Sequence, residues 1–78
     1  MATTLLQRIG KALRHRREAA GFSQEAYADA IGMHRTYYSA IERGEKNMQL
    51  DTLEKICRGL KVQLWQVLKD AETEHGTG

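Results

Sequence analysis

The stretch SQEAYADAIGMHRTYYSAIERG, Ser23 to Gly44, decides how this chain is read. It holds two short amphipathic patterns parted by a single glycine, Gly32, and the second sets Arg35, Thr36, Tyr37, Tyr38 and Ser39 side by side. Ser23 is a good N-cap, because its hydroxyl can accept from an otherwise unpaired backbone N–H of the first helical turn. The helix it opens is expected over 24–31, with Tyr27, Ala28 and Ile31 inward and Glu25 and Asp29 outward. Met33 and His34 then lead into a second helix, expected over 35–43 and closed by Gly44. Two short helices joined by a glycine-containing turn make a helix-turn-helix, whose second helix lies in the major groove of DNA and offers its N-terminal side chains to base edges.

Outward from this stretch, the remaining patterns are also helical. A first helix is expected over 4–20, with Leu6, Ile9, Leu13 and Arg17 at three- and four-residue spacings, then Gly21 as its stop and Phe22 as a core plug. A fourth is expected over 50–60 with Leu50, Leu53, Ile56, Cys57 and Leu60 inward, and a fifth over 64–71. The tail 72–78 has nothing to bury and is expected to fray. There is no proline, linker, repeat or β-type alternation. The fold class is therefore all-α, a compact five-helix bundle, with one domain over 1–71.

Bulk composition narrows the function. Seventy-eight residues allow one small core and no large catalytic cleft. A chain that is 41% hydrophobic and 28% charged, without an apolar run near 20 residues, reads as an ordinary folded protein that does not enter membranes. Basic residues on a helical period near the N-terminus do not form a secretory signal. A lone cysteine, Cys57, suits a reducing cytoplasm, and a DNA-bound protein there would be nucleoid-associated. The net charge is only +2, but residues 1–50 carry eight Lys or Arg against five Asp or Glu, whereas 51–78 carry four against five. The positive charge thus gathers around the helix-turn-helix, as a phosphate footprint would.

At about 100° per residue, Arg35, Thr36, Ser39, Ala40 and Arg43 fall within an arc of roughly 140°, while Tyr38 and Ile41 point the opposite way. Arg35 has the planar fork that bonds O6 and N7 of guanine together. Thr36 offers a hydroxyl and a methyl, Ser39 a smaller version of the same, and Ala40 is small enough to let the helix sit deep. Tyr37, on the flank of the arc, either reaches a phosphate or a base edge or packs under the first or second helix. Phosphates are assigned to Gln24 at the start of the preceding helix, to Arg43, and to Lys46 and Asn47 in the following loop. A solvated surface helix is the plain alternative, but an arginine beside the positive end of a helix dipole is better explained by an anionic partner.

No catalytic constellation is present: Cys57 lies on an inward stripe, His15 and His75 have no partner in sight, and neither a phosphate-binding glycine loop nor metal-ligand spacing occurs. Met33, Met48 and Trp65 read as packing residues. The expectation is of no enzyme, no cofactor and no metal.

Taken together, GFSQEAYADAIGMHRTYYSAIERGEKNMQLDTLEKICRGLKV resembles the phage-repressor-like helix-turn-helix family of the Cro and repressor type, with a lambda-repressor-like domain. In that family Ser-Gln-Glu opens the second helix and Ile-Glu-Arg-Gly closes the third. HRTYYSAIERGEKN is especially similar to the small controller proteins of restriction–modification systems, which are dimeric activators and repressors. The resemblance implies a salt bridge between Arg17 and Glu42; the residues alone leave Arg17 free to lie on the surface and Glu42 to pair with Lys46. His34 stands where the family has Ser, Thr or Asp as N-cap, so that cap is expected to be weaker or its imidazole to touch phosphate. Tyr27 replaces a usual Leu, and Lys61 stands where a Gly often ends the fourth helix.

One short helix reads too few bases for useful selectivity, so a homodimer on a pseudo-palindromic operator is expected, with half-sites roughly 34 to 36 Å apart. Leu64, Trp65, Val67 and Leu68 are assigned to its interface with Trp65 as anchor, the alternative being a Trp65 that only caps the monomer core. Activation would need a surface for RNA polymerase, for which Glu25 and Asp29 are candidates. The competing reading is an antitoxin or adaptor that keeps the fold to hold another protein.

Overall fold

The computed structural model describes residues 3–76. Its five helices are α1 (Leu5–Ala19), α2 (Gln24–Ala30), α3 (Arg35–Glu42), α4 (Leu50–Gly59) and α5 (Leu64–Gly76). Local chemistry explains where they begin. Thr4 and Gln7 form a capping box on α1, each side chain accepting from the other's backbone N–H, at 3.1 and 3.0 Å. On α2 the Ser23 hydroxyl accepts from the Ala26 N–H at 3.1 Å. Between α2 and α3 the chain reverses at Gly32, whose φ of 68° is open to glycine at no steric cost. After α4 the same left-handed conformation falls on Lys61, at φ 60°, so this stop is made without a glycine and carries the strain of a Cβ there.

The helices enclose one core built from Ile9, Leu13, Tyr27, Tyr38, Ile41, Leu53, Ile56, Cys57, Val67 and Ala71. Phe22 packs partly buried against it, tilted on Tyr27 with ring centroids 5.2 Å apart, and Tyr27 meets Tyr38 edge-on at 5.6 Å. Tyr27, the expected departure from Leu, is accommodated because its hydroxyl donates to the Ile56 carbonyl at 2.5 Å. The space it fills lies over Gly59, where a Cβ would collide with that hydroxyl. Burial of the ring pushes the Tyr27 phenol up to about 12. Arg16 on α1 ties down α5 through Asp70 at 2.7 Å.

Three sequence expectations give way here. Val67 is fully buried inside the monomer and cannot serve an interface, because α5 turns that face onto α1 and α4. Leu50 is 70% exposed: as the first residue of α4 it points away from the core, whereas Leu53 in the same turn is buried. The fifth helix does not stop at Ala71 but continues to Gly76, since AETEH contains no helix breaker and the helix is already docked through Val67 and Ala71. Thr77 and Gly78, placed in the expected tail, lie outside the described residues, as does the side chain of His75. No helix among the described residues is long and apolar enough to cross a membrane.

Candidate nucleic-acid interface

The third helix is held from behind. Tyr38 and Ile41 sink into the core, and α1 crosses close to its C-terminal end. That approach depends on Gly10, where any Cβ would collide with the carbonyls of Ile41 and Glu42. Beside this crossing lies the salt bridge implied by the family resemblance. Arg17 donates from Nε to Glu42 Oε2 at 2.7 Å and from Nη2 to Oε1 at 3.1 Å, and its Nη1 donates to the Phe22 carbonyl at 2.6 Å. Gln24 Nε2 adds a fourth bond, to Glu42 Oε1 at 2.8 Å. The two charged side chains are 7% and 2% exposed, so this is a buried node joining α1, α2 and α3, not a surface pair.

Electrostatics follow from that burial. Desolvation pushes the Glu42 carboxyl up, but the bonds from Arg17 and Gln24, with the Tyr38 hydroxyl nearby, outweigh it and hold the group below the usual carboxylate range. The hydrogen bond to Glu42 in turn raises Arg17 against its own desolvation. Tyr38, buried and beside the negative Glu42, is raised above the ordinary phenol range. Its hydroxyl is the buried side-chain polar atom without a well-formed hydrogen bond among the described residues.

The front of α3 is open. Arg35, Thr36 and Arg43 are exposed, and Ser39 and Tyr37 are half-buried, Tyr37 leaning on the core from the flank. Together with Gln24 and Glu25, four of them (Arg35, Thr36, Ser39 and Arg43) line one shallow groove between α2 and α3. His34 caps the helix with its imidazole: Nδ1 accepts from the Thr36 N–H at 3.2 Å. With Nδ1 engaged by the backbone, Nε2 is the ring nitrogen left to meet a phosphate oxygen. Lys46 and Asn47 are exposed in the loop after α3.

Two assignments need correction. Ala40, at the edge of the arc, is only 6% exposed and so offers almost no surface to a base edge. The Gln24 side-chain amide is committed to Glu42, so an anion at the start of α2 would meet its backbone more readily than this side chain. Periodicity also missed three contacts, the first because it runs between helices. Arg35 Nη1 lies 3.6 Å from Glu25 Oε2, both groups exposed, and thus Glu25 faces the ridge and not an outer surface of α2. Arg43 donates to Ser39 Oγ at 2.5 Å and pairs with Glu45 at 3.1 Å.

Comparison with known proteins bears on this geometry. A helix-turn-helix family model matches residues 13–64, which span α2, α3 and α4. Control protein C.MunI from Mycoplasma sp is 44% identical over 68 residues, covering 86% of this chain and 92% of that one. Among solved structures, the clp gene regulator ClgR from C. glutamicum superposes with a TM-score of 0.91 at 28% identity over 96% of both chains. The restriction–modification controller protein C.Esp1396I, solved as a tetramer on its natural 35-base-pair operator, gives 0.77 at 32% identity over 88% of this chain and 96% of that one.

Proposed function

The chain belongs to the helix-turn-helix family, and we propose that it is a DNA-binding transcription regulator that reads duplex DNA through α3 as a twofold dimer. One observation carries this reading: Arg35, Thr36, Ser39 and Arg43 form an uncovered polar ridge whose reverse side is fixed by Tyr38, Ile41 and the Arg17–Glu42 node. A rigid, exposed helix with an arginine in its first turn can present a bidentate fork to guanine without further ordering. In this reading Thr36 and Tyr37 complete the base contacts, and His34, Arg43, Lys46 and Asn47 hold phosphates that set register. The work is binding, with no catalytic step, on DNA in the cytoplasm.

The likeness to control proteins supports a finer assignment, a controller of restriction–modification genes. A contact with RNA polymerase would fall to Asp29, since Glu25 is turned towards Arg35. The dimer is assigned to α5, where Trp65 remains 59% exposed beside a groove lined by Ala12, His15 and Arg16 of α1, with Leu64 and Leu68 flanking it. Light scattering at tens of micromolar is expected to give a dimer; a monomer overturns that part.

Selection of bound sites from random duplexes at two salt concentrations tests the whole reading. A twofold-symmetric motif with half-sites roughly 34 to 36 Å apart is expected. A protein that ignores every duplex in dilute buffer refutes it and leaves the adaptor reading.

A further inference from the structure

We propose that Glu25 is a positioning residue for DNA specificity: it holds the Arg35 guanidinium in the free protein and so withholds it from the phosphates of unrelated DNA. The inference rests on the reading of α3 as the DNA-contacting helix. Glu25 and Arg35 come from different helices, and their side chains meet at 3.6 Å over the groove that also contains Thr36, Ser39 and Arg43. The other arginine of the ridge, Arg43 at the C-cap of α3, is likewise held by an acid, Glu45, together with Ser39. Both cations of the ridge are therefore partly neutralised by the protein's own carboxylates before DNA arrives.

This arrangement weighs differently on different DNA. Non-specific affinity comes almost wholly from cation–phosphate contacts, each releasing counterions. A guanidinium resting on Glu25 gains little by exchanging one oxyanion for another, and Glu25 itself is repelled by the backbone. At an operator the exchange is not like for like, because the guanine edge supplies two aligned acceptors in the fork's own plane. Glu25 thus lowers binding to bulk DNA more than binding to the operator. The plain alternative is that Glu25, in the first turn of α2, only complements the helix dipole; such a role moves stability and leaves discrimination alone.

The test compares Glu25→Gln with Glu54→Gln, which removes the same charge from a pair with Arg58 on α4. Binding is measured against the selected operator and a scrambled duplex of equal length and composition, over a range of salt. Relative to the Glu54 variant, Glu25→Gln is expected to bind the scrambled duplex about two- to fivefold more tightly, the range of an exposed ion pair. The salt slope on that duplex should steepen by about one phosphate contact, while operator affinity moves no further than the control does. In an Arg35→Ala background the difference between the two variants should vanish. Equal gains on both duplexes overturn the proposal. So does a loss on the operator, which would mean that Glu25 touches a base directly. Should Arg35→Ala alone leave discrimination intact, the DNA-reading role of Arg35 fails, and the proposal with it.

Discussion

Two arginine–glutamate pairs stand at opposite sides of the same helix and do opposite work. Arg17 and Glu42 meet behind α3 at 2.7 Å, nearly sealed from water and joined by Gln24 and the Phe22 carbonyl. Arg35 and Glu25 meet in front of it at 3.6 Å, 63% and 76% exposed. The chemistry is the same and the solvent differs. Where water is excluded, neither partner can leave without stranding a charge, so the pair is a fastener. Where water is present, the pair contributes on the order of 0 to 1 kcal/mol and can be exchanged for a ligand. In the reading proposed for α3, the first pair fixes the direction of the helix and the second releases its reading group.

The largest effect that would break this contrast is on the buried side. Glu42→Ala is expected to cost about 3 to 5 kcal/mol in chemical denaturation, because Arg17 is left unpaired. Replacing both partners together, Arg17→Met with Glu42→Leu, should recover most of that loss; a double variant as unstable as the single one would show that the charge itself is not the issue.

Acid probes the same node more gently. Because Glu42 titrates below its unfolded value near 4.3, its contribution is complete above that pH and is lost as pH falls through the lower folded value. Stability followed against pH should therefore drop below about pH 4.3, and the Glu42→Gln protein should show a shallower acid limb. At the other extreme the sign reverses. Tyr27, raised to about 12, stabilises below the ordinary phenol value near 10, and that part disappears as pH climbs through 12.

Arg35→Ala sharpens the contrast from the exposed side. Operator discrimination should fall by about 1 to 3 kcal/mol, while the unfolding midpoint changes by no more than about 0.5 kcal/mol. A large loss of stability would place Arg35 among the structural residues. The smallest effect belongs to Arg14→Ala, which opens an exposed i,i+4 pair with Glu18 at 3.2 Å remote from the groove. About 0.3 to 0.5 kcal/mol is expected, shrinking with added salt, and DNA discrimination should be unchanged.

The helix-turn-helix itself was legible from Ser23, Gly32 and Gly44, since caps and left-handed turns are local events that the chain cannot arrange otherwise. The polar arc of α3 was legible for the same reason, being set by a fixed rotation per residue. The Arg17–Glu42 bridge came only from likeness to relatives, because partners 25 residues apart leave no periodic trace. Leu50, Val67 and Ala40 were misplaced for a related cause. An apolar or small residue on a predicted face reveals that something can cover it, but not whether the cover is this chain, a second copy or water.

Sequence alone determined the five helices, their order, the stops between α1 and α4, and the polar composition of the ridge, all consequences of interactions within a few residues. Tertiary structure alone decided that Glu42 is buried and Glu25 is not, that the Gln24 side chain joins the node, that α5 runs on to Gly76, and that Trp65 is left outside. The burial of Glu42 goes with the close crossing of α1 over α3 at Gly10, where a Cβ would collide with the Ile41 and Glu42 carbonyls; a crossing between segments far apart in the chain leaves no local trace in the sequence.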